Sequence, residues 1–262
     1  MQAATRGSPR WASPFLALPL LLAATLAHGG LVSTIPRIKK SVVGVGTLMP
    51  TRQPRAKFLG TGFVVGNGGY VLTNAHVVPK SLDAKKRESL VLFVGEGRHA
   101  HIRQTSEAAE DRKHDLALLR IKGGVLPALR LGDSDKVREG QRYAFTGFPI
   151  GMVLGLHPVT HRGIVSAVTP IATPMQNAGQ LDPRQVERLR HSYEVFQLDA
   201  TAYPGNSGSP LFDPDRGTVV GVINKVFVKE SKEALLKDPS GITYAIPIKY
   251  AVRFLRRNGA LE

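Results

Sequence analysis

Along the chain, short runs rich in Val, Ile, Leu and Phe alternate with clusters of turn residues. SVVGVGTLM, led in by Lys39 and Lys40, predicts a first strand from Ile35 to Met49. GTGFVV and YVLTNAHVV flank the turn Gly66-Asn67-Gly68-Gly69, the pattern of a β-hairpin that delivers His76 to a strand end. Further strands are expected at Leu90 to Val94, His99 to Arg103, DLALLRI (115–121), YAFTGFP (143–149), HRGIVSAV (161–168), VFQLDATAY (195–203) and TVVGVINKVFV (218–228). The 27 glycines and 18 prolines are spread between these runs, as suits an all-β body with many turns. Two helical patterns interrupt the series. In IPIKYAVRFLRRNG, residues Ile248, Ala251, Val252 and Leu255 share a face, Pro247 marks the start and Gly259 the stop. Asp182-Pro183 starts a short helix over Arg184 to His191, inside an insertion between Thr169 and Tyr193. The turn-rich stretch 123–141 divides the body into two expected β-barrels of one unit, residues 36–122 and residues 123–262 with the terminal helix.

Residues 1–29 follow a different pattern. Arg6 and Arg10 precede an apolar stretch from Phe15 to Ala27, broken by Pro19 and followed by small residues in ATLAHGG. This is the layout of a signal peptide cleaved after Ala27 or Gly29, the alternative being an uncleaved N-terminal anchor. The expected location is exported, periplasmic or secreted, with membrane attachment only through that segment. Composition narrows the chemistry further. The chain has no cysteine, which excludes disulfides, a thiol nucleophile and a thiolate metal site. Its formal charge is +15, and setting aside the two arginines of the first 28 residues leaves 33 − 20 = +13. The basic residues are scattered without aromatic interleaving, so they read as a solvated surface and not as a specific nucleic-acid site. His99 and His101 share a strand face that reads as exposed, with Ala100 and Ile102 on the other, and His157 and His161 lie in an apolar region without acidic ligands nearby, so no metal or other cofactor is expected.

The stretch TAYPGNSGSPLF, 201–212, carries the candidate chemistry. Gly205 and Gly208 allow a backbone sharp enough to aim N–H groups outward and leave the Ser207 hydroxyl uncovered. The same residues also make ordinary turns, so the partners of a nucleophile decide. A serine needs a histidine to accept its proton and a carboxylate to orient that histidine. All eight histidines precede Ser207, which excludes the order Ser, acid, His; no Asp or Glu precedes Asp83, which excludes an acid ahead of His76. What remains is His, Asp, Ser, the order of the chymotrypsin-like double barrel. His76 closes the hairpin and Asp115 opens an apolar strand, 39 positions later and 92 before Ser207. Asp111 competes for the acid role, but it lies in the polar run EAAEDRKH, which is expected to face solvent. His114 is expected at the surface.

TNAHVV, DLALLRI, GNSGSPLFD and GITYAIPIKY, taken in order, resemble the protease domain of the HtrA/DegP group of trypsin-like serine proteases, from about Gly44 to about Leu255. The resemblance implies a double six-stranded β-barrel with a short C-terminal helix. It implies a serine endopeptidase acting on unfolded or misfolded polypeptides, with His76 as general base, Asp115 as its orienting acid and Ser207 as nucleophile. The N–H groups of Gly205 and Ser207 would form the oxyanion hole. By the same likeness Thr201, Ala202 and Tyr203 line the specificity pocket, and Val222, Ile223 and Asn224 pair with the substrate as an added strand. No acidic residue falls among the pocket positions, so a small or medium apolar side chain is expected there. Asp199 takes a structural position near the loop base. Ser209 stands where the group commonly has a second Gly, and Tyr203-Pro204 stiffens the approach to Gly205. The PDZ domain carried by many members of the group is not expected here. Homo-oligomerisation is left open. The competing expectation, from a different class, is a catalytically silent protein-binding scaffold on the same fold.

Overall fold

The computed structural model describes residues 30–149, 155–171, 193–224 and 242–262. The signal segment and the expected helix over 184–191 lie outside the described residues. Twelve strands form two closed barrels, and every ladder is antiparallel. The first contains β1 (Val42–Leu48), β2 (Ala56–Val65), β3 (Tyr70–Thr73), β4 (Ser89–Val94), β5 (His101–Asp111) and β6 (Leu116–Ile121). The second contains β7 (Arg142–Gly147), β8 (Val159–Pro170), β9 (Glu194–Asp199), β10 (Pro210–Phe212), β11 (Val219–Asn224) and β12 (Ile242–Pro247). Around the first barrel the order is β1-β2-β3-β6-β5-β4, and the second repeats it as β7-β8-β9-β12-β11-β10. Closure removes the unpaired edges that an open sheet would expose.

The apolar runs are continuous, not alternating, because the strands at the seam are buried on both faces. Val64 of β2, Val71 of β3, and Leu119 and Ile121 of β6 point into the first barrel with Val43 and Val45. Their neighbours Phe63, Val65, Leu72, Leu116 and Leu118 turn outward, where they meet Phe148, Phe212, Val222 and Ile246 of the second half. In β11, Val219 and Val222 join that shared core, while Val220 and Ile223 fill the second barrel with Phe145, Phe196 and Leu211. The barrels are thus joined by a dry interface as well as by the 122–141 connection.

Two helices close the ends. Helix α1 (Leu31–Lys39) corrects the expectation that the stretch from Ile35 is already strand: Thr34 and Ile38, one turn apart, are buried, and the strand starts only at Val42. Proline at position 36, the sixth of nine helical residues, argues against a helix on sequence alone, since it has no N–H to donate to the carbonyl one turn earlier; the helix forms around it nonetheless. Helix α2 (Ile248–Arg257) buries Ile248, Tyr250, Ala251, Phe254 and Leu255. It ends where Gly259 takes φ +65° and the Ala260 N–H returns to the Leu255 carbonyl. The basic loop before β2 is pinned by Arg52, which donates to the Thr47 carbonyl at 3.0 Å and pairs with Glu88 at 2.9 Å.

Leu118, fully buried in the shared core, tests how much that core contributes. Leu118→Ala is expected to lower unfolding free energy by about 2–5 kcal/mol, read from denaturant titration.

Candidate active site

The hairpin β2–β3, with Val65 opposite Tyr70, turns at 66–69 as the glycines require and runs on to a single 3-10 turn, Ala75–Val77, that carries His76. Asp115 immediately precedes β6 and takes φ +51°, a left-handed conformation that few residues other than Gly, Asn and Asp adopt. That kink aims both of its polar ends at the 3-10 turn. The Asp115 carbonyl accepts from the Ala75 N–H at 3.1 Å and from the Asn74 side-chain amide at 3.0 Å. The carboxylate accepts from the His76 backbone N–H at 2.9 Å through Oδ1, and Oδ2 lies 2.6 Å from His76 Nδ1. A third donor comes from the other barrel: Asn224 Nδ2 reaches Asp115 Oδ2 at 2.8 Å. With Nδ1–H held by a carboxylate, Nε2 is left as the basic nitrogen.

Ser207 sits in the loop before β10, nearly buried. Gly205 and Gly208, with φ +101° and +87°, supply the two left-handed turns that the loop needs. The N–H groups of Asn206, Gly208 and Ser209 are committed to the carbonyls of Tyr203, Ile223 and Asn206. Among the described residues, those of Gly205 and Ser207 have no protein acceptor. The loop is anchored to the first barrel through Thr61 of β2. The Thr61 N–H donates to the Ser207 carbonyl at 2.9 Å and its hydroxyl to the Gly205 carbonyl at 2.7 Å. That hydroxyl also accepts the Phe148 N–H at 3.1 Å, and the Thr61 carbonyl accepts the Thr73 hydroxyl at 2.6 Å. Beside it, Gly60 leaves a gap: a Cβ there would lie 2.7 Å from Val77 and 3.2 Å from the Ser207 carbonyl. The turn bearing His76 and the backbone of Ser207 therefore flank the same glycine.

The two aspartates have different partners. Asp115 meets His76, whereas Asp111 pairs with His114 at 2.8 Å between Nδ1 and Oδ2. The expectation of an exposed Asp111 and His114 is corrected. Asp111 ends β5 and His114 lies in the following turn, where the two side chains are 10% and 15% exposed and His114 stacks on Tyr250 at 4.5 Å. Burial opposes ionisation of Asp111, but hydrogen bonds from His114 and the charges of His114 and Arg257 outweigh it and hold its pKa below the usual value.

The proposed pocket residues fall where the loop begins. Ala202 is buried in the core of the second barrel, and Thr201 and Tyr203 are half-buried. For β11 the geometry departs from the expected strand addition. The Ile223 N–H and carbonyl are both used by the loop, through Ser209 and Gly208, and Val222 is paired with Pro210 and Ile246. The backbones of Val222 and Ile223 are already committed to other strands and the loop, so they are floor and not a free edge. Three contributors were missed from sequence: Thr61, Asn74 and the Asn224 side chain. The only sequence hints were a Thr between glycines in GTG and an Asn two positions before His76 in TNAH.

Two antiparallel six-stranded barrels with a His–Asp pair and a glycine-bounded serine at their seam define the architecture of a chymotrypsin-like serine peptidase. A family model described as "Trypsin-like peptidase domain" matches residues 60–222, and the chain belongs to that family. Within it the likeness is to the HtrA/DegP type. A "Probable periplasmic serine endoprotease DegP-like" of Halomonas elongata is 33% identical over 208 residues, 78% of this chain and 36% of that protein. One of the same description from Pseudomonas putida is 33% identical over 202 residues, 77% and 35% of the two chains. The chain therefore spans about a third of these relatives' length. The solved structure "HtrA-type protease AlgW with decapeptide" superposes with a TM-score of 0.62 at 25% identity, covering 87% of this chain and 67% of that one.

The Asp111–His114 pair gives a pH-dependent prediction. A carboxyl with a lowered folded-state pKa stabilises the fold above the unfolded value of about 3.9, and this is lost as pH falls through the folded pKa. Asp111→Asn is expected to be less stable than wild type at pH 7, with the difference shrinking toward zero in acid, measured by thermal unfolding across pH.

Proposed function

We propose that the chain is a serine endopeptidase that cleaves polypeptides through an acyl-enzyme. The observation that carries this reading is the 2.6 Å contact between His76 Nδ1 and Asp115 Oδ2, held from the second barrel by Asn224, beside a loop in which Gly205 and Gly208 frame one serine. Ser207 Oγ attacks the peptide carbonyl while His76 Nε2 accepts its proton. His76 then gives that proton to the leaving amine, and water repeats the cycle on the ester. Asp115 stays ionised, fixes the imidazole tautomer and stabilises the imidazolium. The Gly205 and Ser207 N–H groups, which no protein acceptor uses among the described residues, receive the charge that develops on the carbonyl oxygen. Thr201, Ala202 and Tyr203 border the side-chain pocket.

Unfolded polypeptides are the proposed substrates, from the resemblance to the HtrA/DegP group, and the periplasm is the proposed location, supported by the periplasmic description of the relatives and by the signal-like residues 1–29. Among the described residues no helix is long and apolar enough to cross a membrane.

Ser207→Ala is expected to lower casein turnover by on the order of 10⁴-fold or more and to abolish fluorophosphonate labelling. Wild-type rates in that variant would overturn the assignment, and a wild-type protein that never takes the label would favour the silent scaffold. Asn224→Ala is expected to lower turnover by about 10- to 100-fold, since a hydrogen bond to a charged group contributes about 1.5–3 kcal/mol. Steady-state kinetics on a peptide substrate would measure it.

A further inference from the structure

Beyond the Asp115 turn, on the flank formed by α2, lies a cavity of about 670 Å³. Arg253, Arg256 and Arg257 of α2 line it, three and four positions apart and so on one helical face, and Lys113 faces them from the turn between β5 and β6. Acidic groups nearby are already matched. Glu194 is bound by Lys249 at 2.9 Å, and Asp111 by His114 at 2.8 Å and Arg257 at 3.5 Å. Among the described residues neither Lys113 nor Arg253 has an acidic partner.

The wall of the cavity is aromatic and rich in donors. His114 stacks on Tyr250 and meets Tyr193 edge-on at 4.8 Å, and the Arg253 guanidinium lies 5.0 Å over the Tyr250 ring. Burial, with help from nearby Asp115, pushes the Tyr193 hydroxyl far above its usual range, so it stays protonated. The Tyr250 oxygen accepts the Glu194 N–H at 3.2 Å and keeps its own proton to donate.

We propose that this cavity binds a phosphate-bearing ligand, either a small phosphate ester or the headgroup of an anionic lipid. Guanidinium forks from one side and an ammonium from the other suit a tetrahedral group that accepts in several directions and carries more than one charge. The volume is that of a small-molecule site, too small for a nucleic-acid duplex. The proposal is independent of the peptidase reading, because none of these residues belongs to the His76, Asp115 and Ser207 site.

The test is calorimetric titration of the full chain with inorganic pyrophosphate. The expected result is saturable binding that weakens about tenfold or more in Lys113→Glu/Arg253→Glu, with unchanged melting temperature and casein turnover. The control Lys85→Glu/Lys86→Glu, equal in net charge and distant in the fold, should bind as wild type does. Absence of saturable binding in wild type, or an equal loss in the control, would overturn the site. Co-flotation with phosphatidylglycerol vesicles, but not phosphatidylcholine vesicles, and its reversal by pyrophosphate would support the headgroup source. Pyrophosphate binding without co-flotation would support a free ester. A DNA duplex that displaces pyrophosphate and is lost equally in both variants would overturn the proposal.

Discussion

Everything at the seam depends on one buried threonine. Thr61 uses its N–H, its hydroxyl and its carbonyl to join β2 to the Ser207 loop, to Phe148 at the end of β7, and to Thr73 at the end of β3. These groups are out of contact with water, so each hydrogen bond is needed to offset its own desolvation. Glycines on both sides leave the space for this approach. The same crowding recurs at Gly147, where a Cβ would collide with Ser209 Oγ and lie 2.9 Å from Asn206 Oδ1.

Asp115 is the second junction, and it acts through backbone as well as side chain. Its left-handed φ turns the carbonyl toward Asn74 and Ala75 while the carboxylate faces His76, so the peptide and the acid hold the same 3-10 turn from two sides. Strained backbone of this kind persists only where the surroundings over-determine it. Here five donors do so, four from the His76 turn and one from β11. The arrangement fixes the His76 imidazole through its Nδ1 as well as its backbone N–H.

The barrels were legible because their strands are short apolar runs between turn residues, and the hairpin to His76 because Gly66 to Gly69 admits little else. The candidate histidine, aspartate and serine were selected by their order in the chain and the blocks around them. What escaped was whatever depends on a contact across the seam. Asn224 reads from sequence as an interior position of the strand expected over 218–228, and only the hydrogen bond it sends across the seam reveals that its side chain serves Asp115. Asp111 reads as part of a solvated charged run, because nothing in EAAEDRKH announces that a turn will fold His114 back onto it. Helix α1 was hidden by Pro36 and by the absence of a capping side chain at Gly30.

The repeated strand order has a consequence for how the molecule loses its chemistry. Each half has its own hydrophobic interior, but the serine loop takes its shape from a residue of the other half, and the histidine's carboxylate takes a hydrogen bond from across the gap. A small hinge opening between the halves would part those bonds while both interiors stay packed. The geometry of the seam can therefore be lost before either half melts, and the intact chain behaves at its centre like a dimer whose two subunits happen to be tethered.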